Sequence, residues 1–194
     1  MTSIVLGSQS PRRKEILGFF DLPFETATSN FDEDSVPFNK DPADYALALA
    51  RGKATALKKQ YPDAIILTAD TVVHKSGKVY NKAKDLEEAF SFLTDLAGQW
   101  HSVFTAVYAM KGDQEHHAWE ETKVLFNPLS PDEIRHYHSK IHWEDKAGGY
   151  AIQMGAGLIV SRIEGCYYNV MGLPINSVRK LLKKFDIELW DYVK

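Results

Sequence analysis

Strand-like and helix-like patterns alternate from one end of these 194 residues to the other, which predicts an α/β or α+β fold forming one compact unit of two lobes. Two further observations support that class. The chain is 44% hydrophobic and 12% aromatic, enough to bury a real core. No internal repeat, low-complexity stretch or linker divides it, so residues 1–194 read as a single domain.

Taken in order, Ser3 to Gly7 reads as a short buried strand. Ser10 then stands as an N-cap with Pro11 at the first helical position, opening a helix to about Leu17. Phe24 to Thr28 has strand character, and Ser29 to Lys40 is a polar, acidic loop. Asp41-Pro42 repeats the cap-plus-proline start, with a long helix expected to end near Tyr61-Pro62. Ala64 to Lys75 is the strongest strand signal, interrupted in its middle by Asp70, and Ser76-Gly77 is a hairpin-type turn. Asp85 starts a helix that Gly98 stops. Trp100 to Lys111 and Glu115 to Phe126 form two long antiparallel strands around Gly112-Asp113. Ser130-Pro131-Asp132-Glu133 is a capping box, Gly148 to Gly172 is expected to carry short strands, and Pro174 begins the last helix.

Composition excludes several classes of function. With 23 basic and 26 acidic residues the net charge is −3, which gives no global field for a dedicated nucleic-acid binder. A lone cysteine, Cys166, rules out an internal disulfide framework and a cysteine-rich zinc module. Apolar stretches such as Ala64 to Leu67 fall far short of the roughly 18 residues that span a bilayer. At the start, the basic group follows a very short apolar run, the reverse of a secretory signal. A soluble, cytoplasmic protein is expected.

Three constellations carry chemistry. Gly7 to Arg13 is a small-residue loop between a strand and a helix, where free N–H groups and the positive end of the helix dipole make an anion site. Arg12 and Arg13 add forks suited to phosphate oxygens, although the same pattern also describes an ordinary capped helix with solvated arginines. In Thr68-Ala69-Asp70-Thr71, an aspartate inside so apolar a run is costly unless it binds a cation or accepts several hydrogen bonds. A carboxylate at a strand end near a phosphate site suits Mg²⁺, with a bulge or turn aspartate as the alternative. Glu33 offers a second carboxylate, within a stretch that also reads as a solvated loop. Lys53, Lys82 and Lys146 each read as surface lysines taken singly, but together with the arginines they would offset much of a triphosphate's charge.

Other features take plainer readings. His116 and His117 point to opposite faces of a strand, and His136 and His138 do not face together on a helix, so a zinc site is not expected from them. Phe19-Phe20, Tyr167-Tyr168 and the four tryptophans are assigned to core or interface.

The motifs Ser8-Gln9-Ser10-Pro11-Arg12-Arg13, Lys53-Ala54, Ala69-Asp70-Thr71-Val72-Val73, Asp145-Lys146-Ala147-Gly148-Gly149-Tyr150-Ala151-Ile152-Gln153 and Asn169-Val170-Met171-Gly172-Leu173-Pro174 together resemble the Maf family of house-cleaning nucleoside triphosphate pyrophosphatases. The resemblance runs from about residue 3 to 185, and its Asp-Lys-Ala-Gly and Asp-Thr versions look like the branch acting on dTTP and UTP. It implies a three-layer α/β/α fold with a mixed, elongated sheet, like that of inosine triphosphate pyrophosphatases, with a cleft between two lobes. It also implies hydrolysis of a nucleoside triphosphate to monophosphate and pyrophosphate with a divalent metal, Mg²⁺ or Mn²⁺. A homodimer is common in such folds.

By position, Asp70 matches the family's proton acceptor, and Arg12, Thr71 and Gln153 match positions linked to base selectivity. Ser8, Arg13, Glu33, Lys53, Lys82 and Lys146 match its other polar cleft positions, with Glu33 and Asp70 as the candidate metal ligands. Whether Asp70 acts as base or as metal ligand stays open. Ala83 follows Lys82 where the family usually has proline, and Met154 stands where a glycine commonly follows the glutamine. A non-catalytic nucleotide sensor regulating cell division, or a phosphate-binding protein that associates with RNA, are the competing classes. The near-neutral charge counts against the second, and the costly carboxylate of Asp70 counts against the first.

Overall fold

A computed structural model of the chain describes residues 3–194. The elements run β1 (Ile4–Leu6), α1 (Pro11–Leu17), β2 (Glu25–Thr26), α2 (Pro42–Leu57), β3 (Ile65–Lys75), β4 (Lys78–Tyr80), α3 (Leu86–Leu96), β5 (Trp100–Lys111), β6 (Gln114–Phe126), α4 (Pro131–Lys140), β7 (Val160–Glu164), α5 (Tyr167–Val170) and α6 (Ile175–Lys183). Short 3-10 turns occupy Glu33–Ser35, Met154–Ile159 and Leu189–Tyr192. No helix among the described residues is long and apolar enough to cross a membrane.

One mixed seven-stranded sheet runs in the order β2-β1-β3-β5-β6-β7, with β4 also paired to β3. Alternation along the strands sends side chains to two faces. Ile66 and Val72 of β3 with Ala106, Tyr108 and Met110 of β5 pack under α2. On the other face, Ile65, Leu67 and Ala69 pack with α1 and α6. Val73 and Val103 pack with α3 and α4, also on that face. The result is the expected three-layer α/β/α arrangement.

The local signals hold where the chemistry is local. Asp41 accepts from the backbone N–H groups of Ala43 and Asp44 at the start of α2, with Pro42 beside it. Asp85 caps α3 through the N–H of Glu88, and Ser130 with Glu133 forms the reciprocal capping box of α4. Ser76 and Gly77, both at positive φ, make the β3–β4 turn.

Several expectations need correction. Ser10 makes no side-chain cap; its N–H instead donates to Ser8 Oγ at 3.2 Å. Helix α2 ends at Leu57, before Tyr61, and the Phe24–Thr28 strand shrinks to Glu25–Thr26. The stretch from Gly148 to Gly172 holds one strand, a 3-10 turn and a four-residue helix in place of several strands. Trp100, Trp119 and Trp190 lie exposed, as do Phe19, Tyr167 and Tyr168, so none of these aromatics belongs to the core.

Asp70 does not sit at a strand end: it lies in the middle of the unbroken eleven-residue β3. The end that matters is its neighbour's. On one edge β5 pairs with β3 from Ile66 to His74 without a break. On the opposite edge β1 pairs only through Leu67, and β4 begins only at Val73. Between them, the backbone from Thr68 to Val72 has no strand beside it on that edge among the described residues. The sheet therefore splits at the carboxyl end of β1, which is where open α/β sheets bind ligands.

Candidate active site

A cleft of about 650 Å³ opens at that split, within the ordinary range for a small-molecule site. Asp70 and Thr71 line it from opposite faces of β3, because the missing neighbour leaves both accessible. Ser8, Arg12, Arg13, Glu33, Lys53, Lys82 and Lys146 line it too.

Lys53 is the central cation, only 8% exposed on α2. Its Nζ donates to Asp70 Oδ1 at 2.5 Å and lies 3.1 Å from Glu33 Oε1. The buried aspartate thus has the cationic partner that an apolar strand demands. Gly52, the residue before Lys53, makes this possible. A Cβ there would stand 2.2 Å from the Phe31 ring, so a larger residue would push aside the ring that packs the Glu33 loop onto α2. Partial burial pushes the Glu33 carboxyl up, but the Lys53 and Lys82 ammoniums outweigh it and hold it below the usual range.

The two adjacent arginines do different things. Arg13 donates from Nε to the Gly172 carbonyl at 2.7 Å, from Nη1 to Ser8 Oγ at 3.3 Å, and from Nη2 to Thr71 Oγ1 at 3.1 Å. Three of its N–H directions are thereby fixed by the protein, and Thr71 in turn shares a hydrogen bond of 3.0 Å with Thr105. Burial pulls the Arg13 guanidinium below its ordinary value while nearby Asp70 opposes that pull. Arg12 instead reaches across the cleft to Asp145, with Nη1 3.1 Å from Oδ2.

On the far wall, Lys146 pairs with Asp145 and Lys82 Nζ stands 3.9 Å from Glu33 Oε2. Despite Ala83, the Lys82 backbone is held by a bridge to Ala147, and Gly148 N–H donates to the Tyr80 and Asn81 carbonyls. Gly148 turns the chain there at φ +73. Behind this wall, His101 Nε2 meets the Tyr150 hydroxyl at 2.8 Å, and His138 Nε2 meets the Gly149 carbonyl at 3.1 Å.

Nine of the ten sequence-selected residues meet at the cleft, and Gln153 stands apart. Its Nε2 donates to Glu15 Oε2 at 3.3 Å outside the cleft lining, although neighbouring Ala151 and Ile152 do line it. Met154 holds φ +55 with its side chain almost fully exposed, a conformation that explains why glycine suits this position. Sequence reasoning passed over Asp145, Asn81 and Tyr150, all cleft-lining. Asp145 was visible beside Lys146, but nothing local marks a carboxylate that will meet an arginine 133 residues away.

Comparison with known proteins gives this geometry a family. The model described as "Maf-like protein" matches residues 3–185. The chain belongs to the Maf-like family. A Maf-like relative from Chlamydia caviae named "dTTP/UTP pyrophosphatase" is 46% identical over 98% of this chain and 97% of its own. Another from Chlamydia muridarum, named "Nucleoside triphosphate pyrophosphatase", is 42% identical over 99% of this chain and 98% of its own. A third, from Clostridium perfringens and again named "dTTP/UTP pyrophosphatase", is 42% identical over 96% and 98%. Among solved structures, the Staphylococcus aureus Ham1 protein aligns with a TM-score of 0.50 over 95% of this chain and 97% of its own, at 13% identity, a likeness of fold alone. The Maf-like motifs and the mixed α/β sheet expected from sequence are thus both in place.

Proposed function

We propose that this cleft hydrolyses nucleoside triphosphates, with dTTP, UTP and related modified pyrimidine nucleotides preferred, to the monophosphate and pyrophosphate. The observation that carries the reading is the convergence of Asp70, Glu33 and Lys53 with Arg12, Lys82 and Lys146 around one opening in the sheet. The names of the relatives point the same way.

The oxygens of Glu33 and Asp70 both reach the single Lys53 ammonium, so they converge closely enough to share a cation, and hard carboxylate donors fit Mg²⁺ or Mn²⁺. Two carboxylates plus substrate phosphates are a usual complement for Mg²⁺. A divalent ion bound there would screen the phosphates and favour attack by water.

Water forms the new bond to the α-phosphorus, and the bond from that phosphorus to the bridging oxygen breaks. Asp70 takes the water's proton or, with Glu33, would hold the divalent ion. Arg12 and Lys146 stabilise charge on the departing pyrophosphate, while exposed Lys82 adds to the field that binds the phosphates. Arg13 braces Ser8 and Thr71, leaving its remaining donors to the substrate. For Gln153 to read the base it has to leave Glu15 and turn toward the cleft beside Ala151 and Ile152, where its amide oxygen accepts the imide N–H of uracil or thymine, which cytosine lacks.

A panel of dTTP, UTP, CTP and GTP with Mg²⁺ or Mn²⁺, separating pyrophosphate from orthophosphate release, tests this. Pyrophosphate is expected as first product, with dTTP and UTP ahead of CTP by at least about tenfold. Orthophosphate as first product overturns attack at the α-phosphorus. Equal rates on CTP, GTP and UTP remove Gln153 from base reading.

A further inference from the structure

We propose that Asp145 is a built-in competitor of the substrate. Its carboxylate holds Arg12 and Lys146, two cations a phosphate group needs, and releases them when a phosphate binds. This rests on the reading of the cleft as a triphosphate site.

The charges across the opening are arranged reciprocally. The α1 side contributes cationic Arg12 and anionic Glu33, and the far side contributes anionic Asp145 and cationic Lys82. Without ligand, each cation leans on the other wall's carboxylate. A triphosphate draws Arg12, Lys82 and Lys146 to itself, and a divalent ion engages Glu33 with Asp70. Asp145 alone is left with no positive partner in that exchange.

Three observations mark the Asp145 contact as exchangeable. First, the Asp145 side chain is about one-third exposed and lines the cleft, so an incoming oxyanion reaches the same guanidinium and ammonium. Second, the contacts its carboxylate makes among the described residues are to Arg12, Lys146 and, at 3.8 Å, the His142 ring. Moving it breaks no backbone hydrogen bond, because the loop is held by Ala147 and Gly148 instead. Third, the neighbouring cation contacts differ in kind. Arg13 is tied to hydroxyls and a carbonyl and so has no carboxylate to displace, and Lys53, though it also meets Glu33, keeps its buried pair with Asp70 when Glu33 moves. Partial burial pushes the Asp145 carboxyl up, but Lys146 and Arg12 outweigh it, so the group is an anion at neutral pH, as a phosphate mimic requires. Its return to Arg12 and Lys146 then helps expel pyrophosphate.

The test is calorimetric titration of inorganic pyrophosphate into wild type, Asp145→Asn, Arg12→Ala and the double variant, in buffer with chelator and no divalent metal. Asp145→Asn is expected to bind pyrophosphate roughly tenfold more tightly, the scale of one charge-assisted contact set free. Most of that gain is expected to vanish in the Arg12→Ala background. Asp145→Ser gives the same comparison if the asparagine variant does not fold. Unchanged or weaker binding by folded Asp145 variants overturns the proposal, because the carboxylate then serves to position Arg12. A gain seen only when Mg²⁺ is added also overturns it, in favour of a metal ligand. If wild type and variants all fold yet none binds pyrophosphate with or without metal, the triphosphate reading of the cleft itself falls.

Discussion

The two walls of the cleft hold their charges in different ways. On the wall made by β1, α1, α2 and β3, Lys53 and Arg13 are fixed by short contacts that reach β3. Lys53 on a helix meets Asp70 mid-strand at 2.5 Å, and Arg13 on a helix meets Ser8, Thr71 and Gly172. On the facing wall the cations come from connecting segments: Lys82 is 58% exposed in its side chain and Lys146 leans on its neighbour Asp145. Rigid groups suit the bond-breaking step, which tolerates little misplacement. Adjustable ones suit capture and release of a flexible triphosphate. Chemistry on one wall and handling on the other is the division of labour that the following experiments can break or sharpen.

The largest effect is expected from Lys53→Met. It leaves the Asp70 carboxylate, 7% exposed, without its cation and frees Glu33 as well. Breaking one side of a buried pair costs about 3–5 kcal/mol. Urea unfolding at pH 7 reads it. A loss below about 1 kcal/mol would mean that the rigid wall does not depend on this pair.

Asp70→Asn comes next. Shape is kept while charge and basicity go, so turnover is expected to fall by about two orders of magnitude or more. Single-turnover kinetics on UTP distinguishes this from weaker binding. More than about a third of wild-type activity would make Asp70 a structural partner of Lys53 only.

The walls also differ in how they answer to acid. Burial drops His101, which holds Tyr150 behind the far wall, to about 4. His138 on the Gly149 carbonyl is lowered by burial in the same direction. An unfolded histidine takes its proton near 6.5, so between about 6.5 and 4 the unfolded chain binds more protons than the folded one. The stability contributed by neutral His101 is therefore whole above that upper value and drains away as pH falls, by about 2 kcal/mol at pH 5. Urea unfolding at pH 7 and pH 5 is expected to show this loss, and His101→Gln to remove most of it. Hydrogen exchange is expected to quicken in residues 145–152 before β3.

Which of these features the sequence could carry follows from how local each one is. Capped helices such as α2 and α4 are written in four adjacent residues, and their starts are legible for that reason. The apolar run of β3 is equally plain. What no local pattern holds is that β1 stops at Leu6 while β3 runs on, because a strand's useful length depends on its partner. Asp70 looked like a strand-end residue for this reason, and its pairing with Lys53, 17 residues away, is a product of α2 folding back over the sheet. Gln153 and Asp145 lie in one motif, yet only the second lines the cleft, since the chain turns between them at Gly148 and Gly149.

The smallest effects separate the cations of the two walls from each other. Arg12 is mostly enclosed, with a charge-assisted contact at 3.1 Å, so Arg12→Ala is expected to lower kcat/KM for UTP by about 1.5–3 kcal/mol. Lys82 is exposed, stands 3.9 Å from Glu33, and acts through solvent that screens it. Its contribution is expected nearer 1 kcal/mol, about fivefold, and weaker still in high salt. Its backbone bridge to Ala147 does not involve the side chain, so Lys82→Ala leaves the wall's path intact and isolates the charge. The expected signature is a raised KM with kcat nearly unchanged, as for uniform binding of substrate and transition state. If Lys82→Ala instead lowers kcat as much as Arg12→Ala does, and salt does not soften the loss, the far wall is as fixed during turnover as the near one.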